Sequence, residues 1–420
     1  MDAQKKYYTY NFFAFVWHGV FLYVANAFTQ ITTVQTSLIY LLSGSSLLSG
    51  LLLSANRVGS IVPQIFFVNW VQRSKIKKPF LIAAVLIRGT SMVAMGALLF
   101  FVHSPHSLLI LTLIFFIMLI FFLAGGMGDI SYFAVFSKTI DPKKRGKNFG
   151  YRYFLGGLLG LGAGYLTKRI LSGPMVFPRN YALLYLFSGL ALYIAWAGFA
   201  SVKELPGADK RQSTSWYAHF NLLKNNPNFL RFIWVEILLS GIGIVLPLYV
   251  IYAKSQLNLP LSLIGLFVTA QIIGEIVAGP SWGRLGDKKN FRLVLFLIGM
   301  LSAATPLAAL LLPMIHHYLY ILVFFLIGIT YKGLSLGISN YLLEIAPKSD
   351  VPSYVAVKNI LQLPSILYPL IGGFLVNYIS YAYVFIFTSL MLSAGSVLAT
   401  RLYCTRSVSK DHLSYKHLFT

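Results

Sequence analysis

Gly283-Arg284-Leu285-Gly286-Asp287-Lys288-Lys289-Asn290-Phe291-Arg292 is a basic island between two apolar runs, at about 260–282 and 291–312. Each run is long enough to cross a bilayer as a helix, which takes about 20 residues. The island then reads as a short connection on one membrane face. Working outward, apolar stretches bounded by polar residues, glycine or proline recur at about 11–34, 46–71, 79–102, 107–136, 148–171 and 180–202. A second set lies at about 229–252, 260–282, 291–312, 317–343, 353–376 and 380–402. Periodicity and length make all twelve helical spans. Between the sets lies the longest polar stretch, 203–228, with Pro206 and Gly207.

The expected architecture is an all-α membrane protein of twelve spans in two pseudo-symmetric six-helix bundles. Residues 1–202 form the first bundle, 203–228 a cytoplasmic linker, 229–403 the second bundle and 404–420 a cytoplasmic tail. Of the 420 residues, 57% are hydrophobic and only 11% charged. Soluble domains carry roughly 25% charged residues. Aromatic residues, at 15%, exclude a disordered chain. Twelve crossings use roughly 250 residues and leave no room for a soluble domain.

A net charge of +23 would suggest nucleic acid in a soluble protein. Here the cations sit at span ends. With the N-terminus inside, 27 of the 34 Lys and Arg residues fall on one side, among them Lys143, Lys144, Arg145, Arg152, Arg284 and Lys358. Lys168, Arg169, Arg179 and Lys254 fall on the other, and Arg57, Arg88 and Lys332 lie within spans. Excess positive charge marks the cytoplasmic face, so both termini are expected inside. Ala25-Asn26-Ala27 imitates a cleavage site, but the apolar run continues past it and an uncleaved first span is expected. A bacterial or archaeal cytoplasmic membrane and a monomer are expected. Cys404 is the single cysteine and forms no intrachain disulfide.

Polar residues inside a span face protein or water, because lipid cannot satisfy them. Span 1 offers His18, Asn26 and Gln30, and span 2 offers Ser54, Arg57, Ser60 and Gln64 at helical spacing. Span 4 carries Asp129, and span 5 a stripe of Gly156, Gly160 and Gly164. The second set repeats the pattern: Glu236, Ser240, Gly243 and Pro247 on span 7, then Gln271 and Glu275 on span 8. Lys332 follows on span 10, and Lys358, Gln362, Ser365 and Pro369 on span 11. Spans 6, 9 and 12 hold no ionisable residue in their interiors, and span 3 holds only Arg88. Helices 1, 2, 4 and 5 of each set are therefore expected around a central cavity, with 3 and 6 outside. Glycine and proline interruptions at matching places of two repeats point to the binding region of such transporters.

The island Gly283–Arg292 resembles the loop signature of the major facilitator superfamily: a Gly, an apolar residue, an Asp and then basic residues between the second and third helix of a half. Asp141-Pro142-Lys143-Lys144-Arg145-Gly146 resembles the family's Pro-x-x-Arg-Gly connector, echoed by Ala346-Pro347-Lys348. With the six-plus-six layout, the resemblance covers nearly the whole chain. It implies a secondary transporter working by alternating access, with Gly283, Asp287, Arg292 and Arg145 at the gate. In the family the signature Asp faces a neighbouring helix N-terminus, a favourable dipole contact. The first half departs from the signature. In Asn69-Trp70-Val71-Gln72-Arg73-Ser74-Lys75-Ile76-Lys77-Lys78, Arg73 stands where the acid would fall. The Pro- and Gly-rich antiporter motif of span 5 is also missing its proline.

Charges within spans must pair, bind a ligand or change protonation. Arg88 and Asp129 share a depth and are expected to pair structurally. Glu236, Glu275 and Lys332 form the expected coupling group, two acids to one base, with Glu236 and Glu275 as proton carriers. The expected substrate contacts are His18, Asn26, Gln30, Arg57, Gln271, Lys332 and Gln362, with Arg57 and Lys332 attracting an anionic or amphiphilic cargo. The pairs His103/His106 and His316/His317 lack a joining acid or cysteine, so no metal is expected. No cofactor, nucleic-acid partner or catalytic spacing is read, so an enzyme is not expected. The leading function is proton-coupled transport of a small solute. The alternatives are a lipid or amphiphile translocator and a non-transporting receptor or scaffold.

Overall fold

The computed structural model describes residues 5–102, 106–206, 226–347 and 351–403. His103, His219, Lys348, Cys404 and the tail lie outside the described residues, as do linker residues 207–225. The described residues hold helices and no strand. Nine helical spans among them are long and apolar enough to cross a membrane. The helices of span 2, Ser46–Arg73, and span 5, Arg145–Ser172, have the length with a more polar composition. Span 11 is divided into Val351–Leu361, a 3₁₀ stretch Leu363–Leu367, and Tyr368–Leu375. This is an integral, multi-pass membrane protein.

Span 1 runs further than the apolar pattern suggests. Helix Tyr8–Phe28 is followed by a π-helical turn, Ile31–Gln35, and by helix Thr36–Ser43. Thr32, Thr33, Gln35, Thr36 and Ser37 read as a polar end, yet all five are buried. Several of their polar atoms find partners inside the protein: Gln35 Nε2 donates to the Thr29 carbonyl at 2.8 Å, and Ser37 Oγ meets the Tyr181 hydroxyl at 2.8 Å. The helix stops at Gly44, whose φ of 66° is the left-handed conformation that glycine adopts without strain. Span 7 is also broken, into Pro227–Leu239 and Ile242–Ser255.

The remaining helices are Lys78–Phe101 (span 3), Leu108–Thr139 (span 4), Arg179–Ser201 (span 6), Leu263–Lys288 (span 8), Phe291–Ile315 (span 9), Ile321–Ile345 (span 10) and Tyr381–Ala399 (span 12). The island around Asp287 is thus helical to Lys288, and the true connection is only Lys289 and Asn290. Asn290 Oδ1 accepts the Leu293 N–H at 2.8 Å and starts span 9.

By packing, the chain divides into two compact units. One holds residues 1–213, 246–273 and 369–378, and the other 214–245, 274–368 and 379–420. In the first unit, an apolar cluster of Phe12, Phe15, Leu81, Val85, Val135, Phe136, Phe199 and Val202 ties together spans 1, 3, 4 and 6. Phe15 meets Phe136 and Phe199 edge-on, with ring centroids 5.2 and 5.4 Å apart. At the other end of the same unit, helix backbones touch. A Cβ on Gly50 would overlap the Pro369 carbonyl, one on Gly373 the Ser46 carbonyl, and one on Gly265 the Lys168 amide. Small residues permit this approach where no hydrophobic force acts between helices in lipid. In the second unit, spans 9 and 12 pack tightly, and Ser389 and Ser396 of span 12 donate to the Ala303 and Phe296 carbonyls of span 9 at 2.7 and 2.6 Å.

Candidate functional site

In the second unit the break in span 7 and the break in span 11 are cross-linked. Asn226 starts span 7 by accepting the Phe229 N–H at 3.0 Å, and Pro227 occupies a first-turn position that needs no amide hydrogen. The helix gives way at Ser240 and Gly241, where tight turns replace the regular ladder: Gly241 N–H bonds to the Leu238 carbonyl at 3.1 Å and Gly243 N–H to the Ser240 carbonyl at 2.9 Å. Glu236 lies one turn before that break. Its carboxylate accepts from Lys358 Nζ at 3.0 Å, with the Glu236 side chain 7% and the Lys358 side chain 19% exposed. One turn further along span 11, Gln362 accepts from Ser240 Oγ at 3.3 Å. Its amide Nε2 is buried with no hydrogen-bond partner among the described residues.

Lys358 belongs to the polar face expected on span 11, yet the charge count placed it at the inner surface. It is instead a partner of Glu236 inside the helix bundle. A buried ion pair loses several kcal/mol of hydration per ion and holds only while both partners stay in register. Glu275 and Lys332, expected to complete the group, are both half-buried in this unit.

In the first unit the expected residues disperse. His18 is 3% exposed; its Nδ1 lies 3.1 Å from the Ala195 carbonyl and its ring stacks on Phe199 at 3.4 Å, so it is engaged with span 6. Gln271, 1% exposed, accepts from Thr32 Oγ1 at 2.8 Å. Asn26 is exposed, Gln30 half-buried, and half-buried Arg57 has no hydrogen bond or ion pair among the described residues. Arg88 and Asp129 are within electrostatic reach but make no direct salt bridge among the described residues. The Arg88 guanidinium sits 4.5 Å over the Phe121 ring, a cation–π contact in place of the expected pair.

Of the gate residues, Gly283 borders open space and Asp287 is exposed at the last turn of span 8. Arg292 Nη1 donates to the Leu402 carbonyl at 3.1 Å, and Arg145 donates to the Ser137 carbonyl at the end of span 4. The acid missing from the first-half signature is supplied from elsewhere. Glu204, just after span 6, has a fully buried side chain and accepts the Lys77 and Lys78 N–H groups at 2.9 and 2.7 Å. It also pairs with Lys138 at 3.0 Å. A carboxylate at a helix N-terminus satisfies orphan amides and complements the dipole. No local spacing signals this contact, because Glu204 lies far along the chain from Lys78.

An internal repeat also passes unnoticed in a span-by-span reading. Asn11-Phe12-Phe13-Ala14-Phe15-Val16-Trp17 is echoed by Asn228-Phe229-Leu230-Arg231-Phe232-Ile233-Trp234. The two asparagines do the same work. Asn11 Oδ1 accepts the Lys203 N–H at 2.8 Å, just past span 6, and Asn228 Oδ1 accepts the Tyr403 N–H at 2.9 Å, just past span 12. Each closes its bundle by tying first helix to last.

A family model of the Major Facilitator Superfamily matches residues 237–416. The fold of the whole chain agrees with it. A crystal structure of a D-xylose–proton symporter superposes with a TM-score of 0.71 at 11% identity, covering 95% of this chain and 98% of that one. The second half of the chain is therefore similar to the major facilitator superfamily, and the chain shares the fold of that symporter. A bacterial homologue of the iron transporter ferroportin, in an inward-facing state, gives a TM-score of 0.67 at 12% identity over 94% of this chain and 98% of that one. The nucleoside transporter NupG gives 0.63 at 13% identity over 95% and 99%. No curated protein matches in sequence. At these identities the major facilitator neighbours share a fold, while their named cargoes differ widely.

Proposed function

We propose that this chain is a secondary transporter of the major facilitator type that moves a small solute by alternating access, coupled to protons through Glu236. The observation that carries the reading is the buried Glu236–Lys358 pair, 3.0 Å long and set between the interrupted helices of spans 7 and 11. A carboxylate in such a place has two stable conditions: ionised against Lys358, or protonated when the two helices separate. A ligand shifts such an equilibrium only through different contacts in the two states. Gln362, with a buried amide donor facing no partner among the described residues, is a solute contact one turn away. Glu275 and Lys332 extend the polar surface of this unit. Both termini are cytoplasmic in this reading, and the backbone contacts at Gly50, Gly265 and Gly373 close the outer end.

The test uses proteoliposomes with an internal pH-sensitive dye and a panel of sugars, nucleosides, amino acids, organic acids and lysolipids. Solute-dependent proton movement in wild type and its loss in Glu236→Gln, with counterflow of the same solute retained, is the expected result. Proton movement unchanged by Glu236→Gln removes the coupling role. A response confined to lysolipids identifies an amphiphile translocator, and saturable binding without flux identifies a receptor. Single cysteines in a Cys404→Ser background, labelled near His316 from outside and at Lys77 only after permeabilisation, check the orientation.

A further inference from the structure

The internal repeat sets Gly19 at the position of Glu236, since Asn11, Phe12, Phe15 and Trp17 align with Asn228, Phe229, Phe232 and Trp234. On the facing helices, Arg152 and Lys358 stand at equal distances along spans 5 and 11, about 10 Å from Arg145 and Val351 at 1.5 Å per residue. The side chains use these positions alike. Lys358 reaches Glu236, and Arg152 lies so close over Gly19 that a Cβ there would overlap its side chain. The first unit therefore repeats the cation without the acid.

Arg152 is half-buried and has no carboxylate partner among the described residues. One guanidinium N–H donates to the Tyr132 hydroxyl, and the group lies 5.1 Å from the Tyr132 ring and 5.3 Å from the Phe149 ring. An arginine has five N–H donors in a planar fork, so most of them are left unfilled by these contacts. Because the Tyr132 oxygen accepts from Arg152, its own O–H is available to donate. Asp129, one turn earlier on span 4, is in the field of Arg88. His18, the other titratable neighbour, is engaged with the Ala195 carbonyl.

We propose that Arg152 and Tyr132 form an oxyanion site, gripping the carboxylate or phosphate of a solute whose apolar part lies on Tyr132 and Phe149. The planar fork matches two oxygens of either group, and the glycine at position 19 makes room for the Arg152 side chain where the repeat holds a carboxylate. The proposal rests on the transport reading and names its substrate class: a small organic anion supplies the negative charge that Glu236 supplies in the other half.

The experiment follows thermal unfolding of the purified full chain in detergent at matched ionic strength. The probes are benzoate, succinate, phenyl phosphate and glycerol phosphate, each beside its neutral counterpart: benzamide, succinamide, phenol and glycerol. At least one anion is expected to stabilise wild type beyond its neutral counterpart, and the carboxylate and phosphate arms tell the two groups apart. Its apparent affinity is expected to fall at least about tenfold in Arg152→Gln, the scale of one lost charge-assisted interaction. Gly19→Glu shifts the Arg152 side chain and offers it the acid of the other half, and is expected to abolish the same shift in unfolding temperature. Arg169→Gln, at an exposed arginine elsewhere on span 5, leaves it unchanged. The proposal is overturned if no anion outperforms its neutral counterpart, or if anions stabilise folded Gly19→Glu as strongly as wild type. Neutral solutes that alone drive proton movement would remove the anion site and leave coupled transport standing. Anion binding without proton movement would do the reverse.

Discussion

The two halves of this chain place a cation at the same point and treat it differently. In the second half Lys358 is held by Glu236 at 3.0 Å. In the first, Arg152 lies over Gly19, donates to the Tyr132 hydroxyl and rests on the Tyr132 and Phe149 rings. One side is closed by its own carboxylate and the other is chemically open. The lesson is that a repeat fixes where a polar group sits, while one substitution decides whether it serves the protein or a ligand.

The strongest way to break this comparison is to remove one partner of the closed pair. Glu236→Gln leaves the Lys358 ammonium buried and is expected to cost about 3 to 5 kcal/mol, much of it recovered when Lys358→Met is added. Thermal unfolding of both single variants and the double variant measures the coupling; strict additivity would show that the pair contributes nothing. The next effect concerns how each half secures the connection between its second and third spans. Glu204→Ala removes two amide hydrogen bonds and the Lys138 pair, with an expected loss of about 2 kcal/mol. Asp287→Ala, at an exposed carboxylate, should cost less, and the reverse ranking would mean that Glu204 does not substitute for the missing acid.

Smaller effects sharpen the symmetry itself. Asn11→Ala and Asn228→Ala each remove the side chain that ties first helix to last, at about 1 to 2 kcal/mol apiece, and the two losses should be nearly equal in unfolding midpoint. The smallest change is expected at the open cation. Arg152→Ala deletes one hydrogen bond and two ring contacts but also a partly buried charge, so about 1 kcal/mol or less is lost. A loss as large as that of Glu236→Gln would show that Arg152 supports the bundle instead of waiting for a ligand.

Much of the fold was legible because the bilayer imposes simple rules. Apolar runs of spanning length, the basic islands and the linker identify twelve spans in two sets, and the Gly283–Arg292 island carries the family resemblance. The ends of spans 1 and 8 were less legible. Thr32, Gln35 and Ser37 look like a loop in a hydropathy reading, and only the burial of their hydroxyl and amide groups explains why the helix continues.

The candidate site was legible in part. Glu236, Gln362 and Lys358 stand out as polar residues in apolar helices, since no such group is tolerated against lipid. Which acid meets which base was beyond one-dimensional reasoning, because depth along a helix does not give its rotation or its neighbour. His18 and Gln271 looked like solute contacts by spacing, and the fold gives them to Ala195 and Thr32.

By itself the sequence determined the membrane habitat, the helical make-up and the repeat that equates Gly19 with Glu236. Each follows from composition or period, quantities that every segment carries locally. Tertiary structure decided the pairing of Glu236 with Lys358, the use of Glu204 as a cap for span 3 and the setting of Arg152 against Tyr132 and Phe149. Those depend on which helix faces which, and that is set by close packing over the whole bundle, where a glycine at one crossing fixes the neighbours of a charge at another.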